Sequence, residues 1–166
     1  MGTVEALKEL YLSEVELSEA IGDGIQGTVY RGLWQGSTPV AAKAVHRAED
    51  MKQFQEEACL LQRVRHPNIV NFLGMYENDE TLYMVMEWCA GGSGESFVRR
   101  VERSWQAREV DEATVQRRMV RFSKDVAQGM LYLTKHNPPI LHRDLALRNV
   151  LCDEHDRCKI SDLGTK

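Results

Sequence analysis

The sequence predicts an α+β chain in two parts: an antiparallel sheet carrying one helix, then a half that is mainly helical. Three observations predict it. Up to Trp88 the chain is mostly short runs of β-branched and aromatic residues; from about Glu112 to Lys135 apolar residues recur at helical spacing; and Gly91-Gly92-Ser93-Gly94 separates the two patterns. With 166 residues, 43% hydrophobic and 28% charged, the composition is that of a folded globular chain. At that length folding buries on the order of two-thirds of the surface.

Taken in order, strands are expected at Leu17 to Ile21, Thr28 to Trp34, Val40 to Val45, Phe72 to Tyr76 and Leu82 to Met86. One helix, from about Asp50 to Arg65, interrupts them. In it Phe54, Glu57, Leu61 and Val64 step by three and four and so share one stripe. The glycine run at 91–94 predicts a flexible joint, with a hinge near Glu87 to Ala90. Phe97 to Glu112 is charged and only weakly periodic. In the later helix Met119, Phe122, Val126, Met130 and Leu133 form a stripe assigned to core packing. Asn149 to Cys152 and Arg157 to Ile160 read as two short strands closed by a tight turn. Cys152 and Cys158 bracket that turn, but their spacing is not a zinc pairing.

Charge narrows the function. A net charge of -4 and a pI near 5.8 argue against a nucleic-acid binder, which carries a basic stripe. No apolar run approaches the ~18 residues of a membrane span, so no membrane segment is expected. The opening Met1-Gly2-Thr3-Val4-Glu5-Ala6 has neither the basic nor the apolar region of a signal peptide, and a cytoplasmic location is expected. Cys59, Cys89, Cys152 and Cys158 are too scattered for a disulfide framework and read as free thiols.

Gly22, Gly24 and Gly27 form a G-x-G-x-x-G, weak alone because dinucleotide folds and ordinary turns also use it. A dinucleotide fold starts a helix there. Here Thr28, Val29 and Tyr30 follow, so the glycines join two strands, which favours a hairpin covering phosphates over an NAD-dependent oxidoreductase. Val40-Ala41-Ala42-Lys43 then brings one lysine on an apolar strand. A buried ammonium needs an anion. Glu57, on the apolar stripe of the following helix, is assigned as that partner; Glu56 is rotated about a quarter-turn away.

The strongest signal is Leu141-His142-Arg143-Asp144-Leu145-Ala146-Leu147-Arg148-Asn149, followed by Ile160-Ser161-Asp162-Leu163-Gly164. The first run resembles the protein-kinase catalytic loop H-R-D-L-x-x-x-N, and the second resembles the D-F-G motif with leucine for phenylalanine. The resemblance covers about Leu17 to Gly164 and includes His66-Pro67-Asn68-Ile69-Val70. It implies a two-lobe fold: an extension at 1–16, an N-lobe at 17–88 with antiparallel sheet and helix C, and at 89–166 the hinge with a helical, incomplete C-lobe.

The resemblance also implies roles. The substrates are ATP and a protein hydroxyl, with Mg2+ as cofactor. Gly22, Gly24 and Gly27 would cover the triphosphate, Lys43 held by Glu57 would grip its α and β phosphates, and Asn149 and Asp162 would ligate magnesium. Asp144 would accept the substrate proton, and Arg148 would help seat the acceptor. Val29, Ala41 and Leu151 would sandwich adenine, Glu87 and Cys89 would offer backbone hydrogen bonds to it, and Met86 would be the gatekeeper. Leu61, Phe72, His142 and Leu163 match the family's apolar stack.

Ala146 stands where the serine/threonine form has lysine, and the cation is Arg148 instead, so tyrosine is the better acceptor. Gln26, Leu163 and Gly94 depart from the family pattern without removing a phosphate- or metal-contacting group. By the same resemblance the activation segment and A-P-E motif would lie beyond Lys166, so a fragment of a longer kinase is expected. The alternative is a non-catalytic, nucleotide-binding module that docks onto another kinase through its exposed lower lobe.

Overall fold

A computed structural model describes residues 10–24, 27–45, 58–79 and 81–163. They gather into two compact units, one from residues up to Arg65 together with Asn71–Trp88, the other from His66–Val70 together with the residues from Cys89 onward.

The first unit is a five-stranded antiparallel sheet of β1 (Val15–Gly24), β2 (Gly27–Trp34), β3 (Thr38–Val45), β4 (Phe72–Asn78) and β5 (Thr81–Glu87), ordered β1-β2-β3-β5-β4. All five expected strands form, each reaching past its expected bounds at one end or both. Side chains of β3 alternate across the sheet. Val40, Ala42 and Ala44 face a core with Val15, Tyr83 and Val85, Ala42 lying opposite Val85 and Ala44 opposite Tyr83. Each large aliphatic side chain buried there contributes roughly 1.5–3 kcal/mol. Upstream of β1, Leu12 N donates to Met75 O and Met75 N to Leu10 O, both at 2.7 Å, so residues 10–12 run beside β4. Residues 58–63 form helix α1, and Ala58, Leu61 and the following Val64 are buried.

The second unit holds α2 (Gly94–Gln106), α3 (Glu112–Lys135), a 3-10 turn at Leu147–Asn149, and a small antiparallel sheet of β6 (Gly92–Ser93), β7 (Val150–Cys152) and β8 (Cys158–Ile160). The later helix has the expected bounds. The flexible joint expected at 91–94 is instead ordered structure: Gly92 and Ser93 pair with Cys152 and Leu151, and Ser93 Oγ caps α2 by accepting from Ser96 N at 3.3 Å. Gly91 is glycine because a Cβ there would lie 2.4 Å from the Asp153 carbonyl. The faint periodicity after it hid α2, whose buried residues are only Gly94, Phe97 and Val101, a stripe too narrow to stand out among its charges.

Phe97 stacks on Phe122 of α3, with ring centroids 5.1 Å apart and 13° between planes. Phe122 and Leu133 are buried and Met119 and Val126 partly so, which gives the α3 stripe its packing role. The stripe also contains Asp125 and Gly129. Asp125 Oδ2 accepts from Cys158 N at 2.9 Å, and at Gly129 an added Cβ would sit 2.6 Å from the Asn68 carbonyl and 2.8 Å from Ile160 Cδ1. The segment 66–70 runs along the other edge of β8: Ile160 N donates to Asn68 O, Val70 N to Ile160 O, and Asn68 Nδ2 to Cys158 O, each at 2.9 Å.

Between β7 and β8 the expected tight turn closes through Asp153, whose N donates to Arg157 O at 2.9 Å and whose Oδ1 accepts from the backbone of His155 and Arg157 at 2.8 Å. Cys152 and Cys158 face each other across this ladder, both fully buried. A hydrogen bond with Cys152, then burial, push the Cys158 thiol well up, so the pair is packing material rather than a nucleophile.

Candidate active site

In the first unit, strand register collects the candidate nucleotide residues on one face. Val29 lies opposite Lys43, Lys43 opposite Met84, and Ala41 opposite Met86. Cross-strand partners share a face, as do residues two apart. Val29, Ala41, Lys43 and Met86 therefore stand together on the side of β3 away from Val40, Ala42 and Ala44, and all four are half-buried. Lys43 stands on the face of β3 opposite Val40, Ala42 and Ala44, with Met84 as its cross-strand neighbour.

A strand follows the glycines, as a phosphate-covering hairpin requires and a dinucleotide fold does not. Gly22 pairs with Val29 and Gly24 with Gly27. Gly27 has φ +112°, where a side chain is strained, and a Cβ on it would lie 2.5 Å from the Ala44 carbonyl. Gly22 is different: among the described residues nothing lies within 4 Å of an added Cβ. Glu57 lies outside the described residues, and with it the expected ion pair to Lys43.

The second unit brings Asp144, Arg148 and Asn149 together. The 3-10 turn sets Arg148 Nη2 2.6 Å from Asp144 Oδ1, an i,i+4 pair, and Asn149 Nδ2 donates to Asp144 O at 2.8 Å and to Oδ2 at 3.0 Å. Both of these Asn149 partners are acceptors, so the amide nitrogen must be the group facing Asp144. The hydrogen bond from Arg148 foremost, helped by that from Asn149, holds the Asp144 carboxyl below the ordinary aspartate value.

These bonds belong to a closed ring. Asp144 N donates to His142 Nδ1 at 3.3 Å, which leaves the proton on Nε2 to reach Ser161 O at 2.9 Å. Ser161 answers with its N at 2.9 Å and its Oγ at 3.1 Å, both on Asn149 O. His142 is 2% exposed and Asn149 6%, so that side of the ring is shielded from competing water while the Asp144 carboxylate stays open to solvent. The ring fixes the chain just before Asp162, which takes φ +51°; Arg143 takes φ +65°. Such left-handed conformations cost on the order of 1–3 kcal/mol each and persist where the surroundings over-determine them. Leu151, on β7, is half-buried, and Leu163 is 3% exposed.

For a divalent cation the donor chemistry fits. With its nitrogen spent on Asp144, Asn149 presents Oδ1, and Asp162 supplies a carboxylate, the hard oxygens that Mg2+ prefers. Among the described residues no cluster of three or more His, Cys, Asp or Glu could hold a metal on its own, as suits an ion held partly by phosphate.

Three supporting residues escaped sequence reading. Asp125 and Gly129 lie on the α3 stripe that apolar periodicity marked, but neither is apolar. Ser161 lies within the second motif and gave no signal of its own. Asn68 was visible only as part of His66-Pro67-Asn68. The departure at Gly94 has a local cause: a Cβ there would be 2.9 Å from the Leu147 carbonyl and 3.1 Å from Phe122 Cζ.

The first unit carries a glycine hairpin beside a strand lysine, and the second an aspartate–asparagine loop bonded to the segment before Asp162. The family model described as protein tyrosine and serine/threonine kinase matches residues 15–166, and the chain belongs to the protein kinase family. It is 41% identical over 156 residues to tyrosine-protein kinase Fer of Rattus norvegicus, covering 91% of this chain and 17% of that protein. Similarity extends to serine/threonine-protein kinase CTR1 of Arabidopsis thaliana, 38% identical with 91% of this chain and 18% of that one covered. It extends also to dual specificity protein kinase splA of Dictyostelium discoideum, 34% identical with 94% and 7% covered. The chain spans less than a fifth of the length of these relatives. No helix among the described residues is long and apolar enough to cross a membrane.

Proposed function

We propose that this chain transfers the γ-phosphate of ATP to a protein hydroxyl, with tyrosine favoured over serine and threonine. The observation that carries the proposal is the ring through Asp144, His142, Ser161 and Asn149, because it orients a proton acceptor, a cation ligand and the start of the second motif with one set of bonds. Phosphoryl transfer asks a protein chiefly for alignment and charge neutralisation.

In this reading Val29, Ala41 and Leu151 hold adenine, with Met86 as gatekeeper and Glu87 and Cys89 offering backbone groups. The backbone of Gly22, Gly24 and Gly27 covers the triphosphate. Lys43 takes the α and β phosphates, and Glu57 is its proposed partner. Asn149 Oδ1 and the Asp162 carboxylate hold Mg2+, which when bound neutralises phosphate charge. Asp144 accepts the proton of the acceptor hydroxyl, and its contact with Arg148 keeps it ionised for that task. Ala146 and Arg148, placed as in the tyrosine form of the family, support the acceptor assignment, as does the similarity to Fer. A cytoplasmic setting fits the same reading.

A second reading, a module that docks onto another kinase without catalysis, is favoured by one observation: α3 exposes Val120 at 68% and Leu131 at 53%. Incubation of the purified protein with Mg-ATP and matched tyrosine or serine peptides, with Asp144→Asn alongside, separates the two. Tyrosine labelling lost in the variant is expected. Equal labelling in both proteins refutes catalysis, and labelling of the serine peptide alone refutes the tyrosine preference.

A further inference from the structure

Away from the catalytic ring, the two long helices of the second unit enclose a groove of about 250 Å³. Val98 on α2 and Val115 and Met119 on α3 line its apolar part, and Trp105 stands at its side, 46% exposed. Glu102 and Glu112 stand on its border, one from each helix. The lining residues recur at helical spacing on both helices, so the groove is a seam between two regular faces.

Two details give the seam a charge preference. Gln106 Nε2 donates to Glu102 Oε1 at 3.3 Å and Gln116 Nε2 to Glu112 Oε1 at 3.1 Å, each from one turn further along the same helix. Each carboxylate is thus steadied by a neutral partner that leaves its charge in place. Among the described residues neither is in an ion pair; the nearby Arg103 Nε donates to the Arg99 carbonyl instead, while Arg100 and Arg118 are taken by Asp156. An apolar floor, a half-exposed tryptophan and two carboxylates outside the ion pairs of the described residues call for an occupant that is both apolar and cationic, and an indole face itself attracts a cation.

We propose that this α2–α3 seam docks a partner peptide in which lysine or arginine adjoins a bulky aliphatic residue. The volume decides for a peptide over a metabolite: it falls below the ~300 Å³ at which pockets begin to hold a drug-sized molecule, but suits one or two side chains of a segment lying along the surface. The aliphatic side chain enters beside Met119 and Trp105, and the cation sits between Glu102 and Glu112. Nothing in this docking uses Asp144, Asn149 or Asp162, so it stands apart from the phosphoryl-transfer reading.

The test is a titration of the full chain with a fluorescent peptide carrying lysines beside leucines in a glycine–serine background, followed by anisotropy. Expected is saturable binding that weakens with added salt, falls about tenfold in Glu102→Lys/Glu112→Lys, and is lost in Trp105→Ala. Unchanged tyrosine-peptide phosphorylation, or unchanged thermal unfolding, shows that the exposed double variant remains folded. Equal affinity for a peptide with glutamates replacing the lysines overturns the charge argument. Equal binding by Trp105→Ala overturns the site, and self-association of the chain blocked by the same substitutions assigns the seam to a second copy and overturns the peptide.

Discussion

The carboxylate of Asp144 is divided between two neighbours on the same turn, Oδ1 bonding to Arg148 at 2.6 Å and Oδ2 to Asn149 at 3.0 Å. The aspartate is therefore aimed by residues four and five positions later in the chain, and its aim depends on the 3-10 turn at Leu147–Asn149.

That division sets an acid limit. Because Arg148 is the main cause of the lowered Asp144 value, the carboxylate stays ionised until the pH falls below the ordinary aspartate range near 3.8. Replacing Arg148 with Met should raise that value toward the ordinary one. Titration of the Asp144 carboxyl carbon by NMR reads it directly. An unmoved midpoint would assign the lowering to Asn149 instead.

His66 makes the second unit sensitive to acid. Its Nδ1 accepts from Asn68 N at 3.0 Å, a role only the neutral ring can play, and burial lowers its value below the usual 6.5. The unfolded chain then binds the extra proton more readily, so stability rises with pH through the window just below 6.5 and is lost as the solution is acidified through it. The urea midpoint at pH 5.5 should lie below that at pH 7.5, with a smaller gap in His66→Phe. Equal gaps would remove His66 as the cause.

Two glycines should respond in opposite ways. At Gly129 an added methyl meets the Asn68 carbonyl and Ile160, so Gly129→Ala should cost about 1–3 kcal/mol, seen as a lower urea midpoint. At Gly22 nothing among the described residues lies within 4 Å of an added Cβ, so Gly22→Ala should leave stability within about 0.5 kcal/mol of the parent. If Gly22 covers phosphates, the same variant should bind ATP more weakly by calorimetry. Unchanged affinity would remove Gly22 from the nucleotide site.

The strands and α3 were legible because their side chains alternate or recur on one face, and the burial of Val40, Ala42 and Ala44 or of Phe122 and Leu133 is the physical form of that pattern. The 91–94 glycines misled because glycine signals freedom in a sequence; here it marks backbones in close contact, with Gly91 against Asp153 and Gly94 against Leu147. Helix α2 went unread because its buried face is only three residues wide.

The sequence by itself determined the family and the order of its motifs along the chain, because the spacing H-R-D-L-x-x-x-N is local and is written in consecutive residues. Only the tertiary structure decided which of these groups bond to one another. His142 meets Ser161 and Asp125 meets Cys158 across 19 and 33 residues of chain, contacts that no periodicity encodes because they arise when separate elements bury their polar groups against each other.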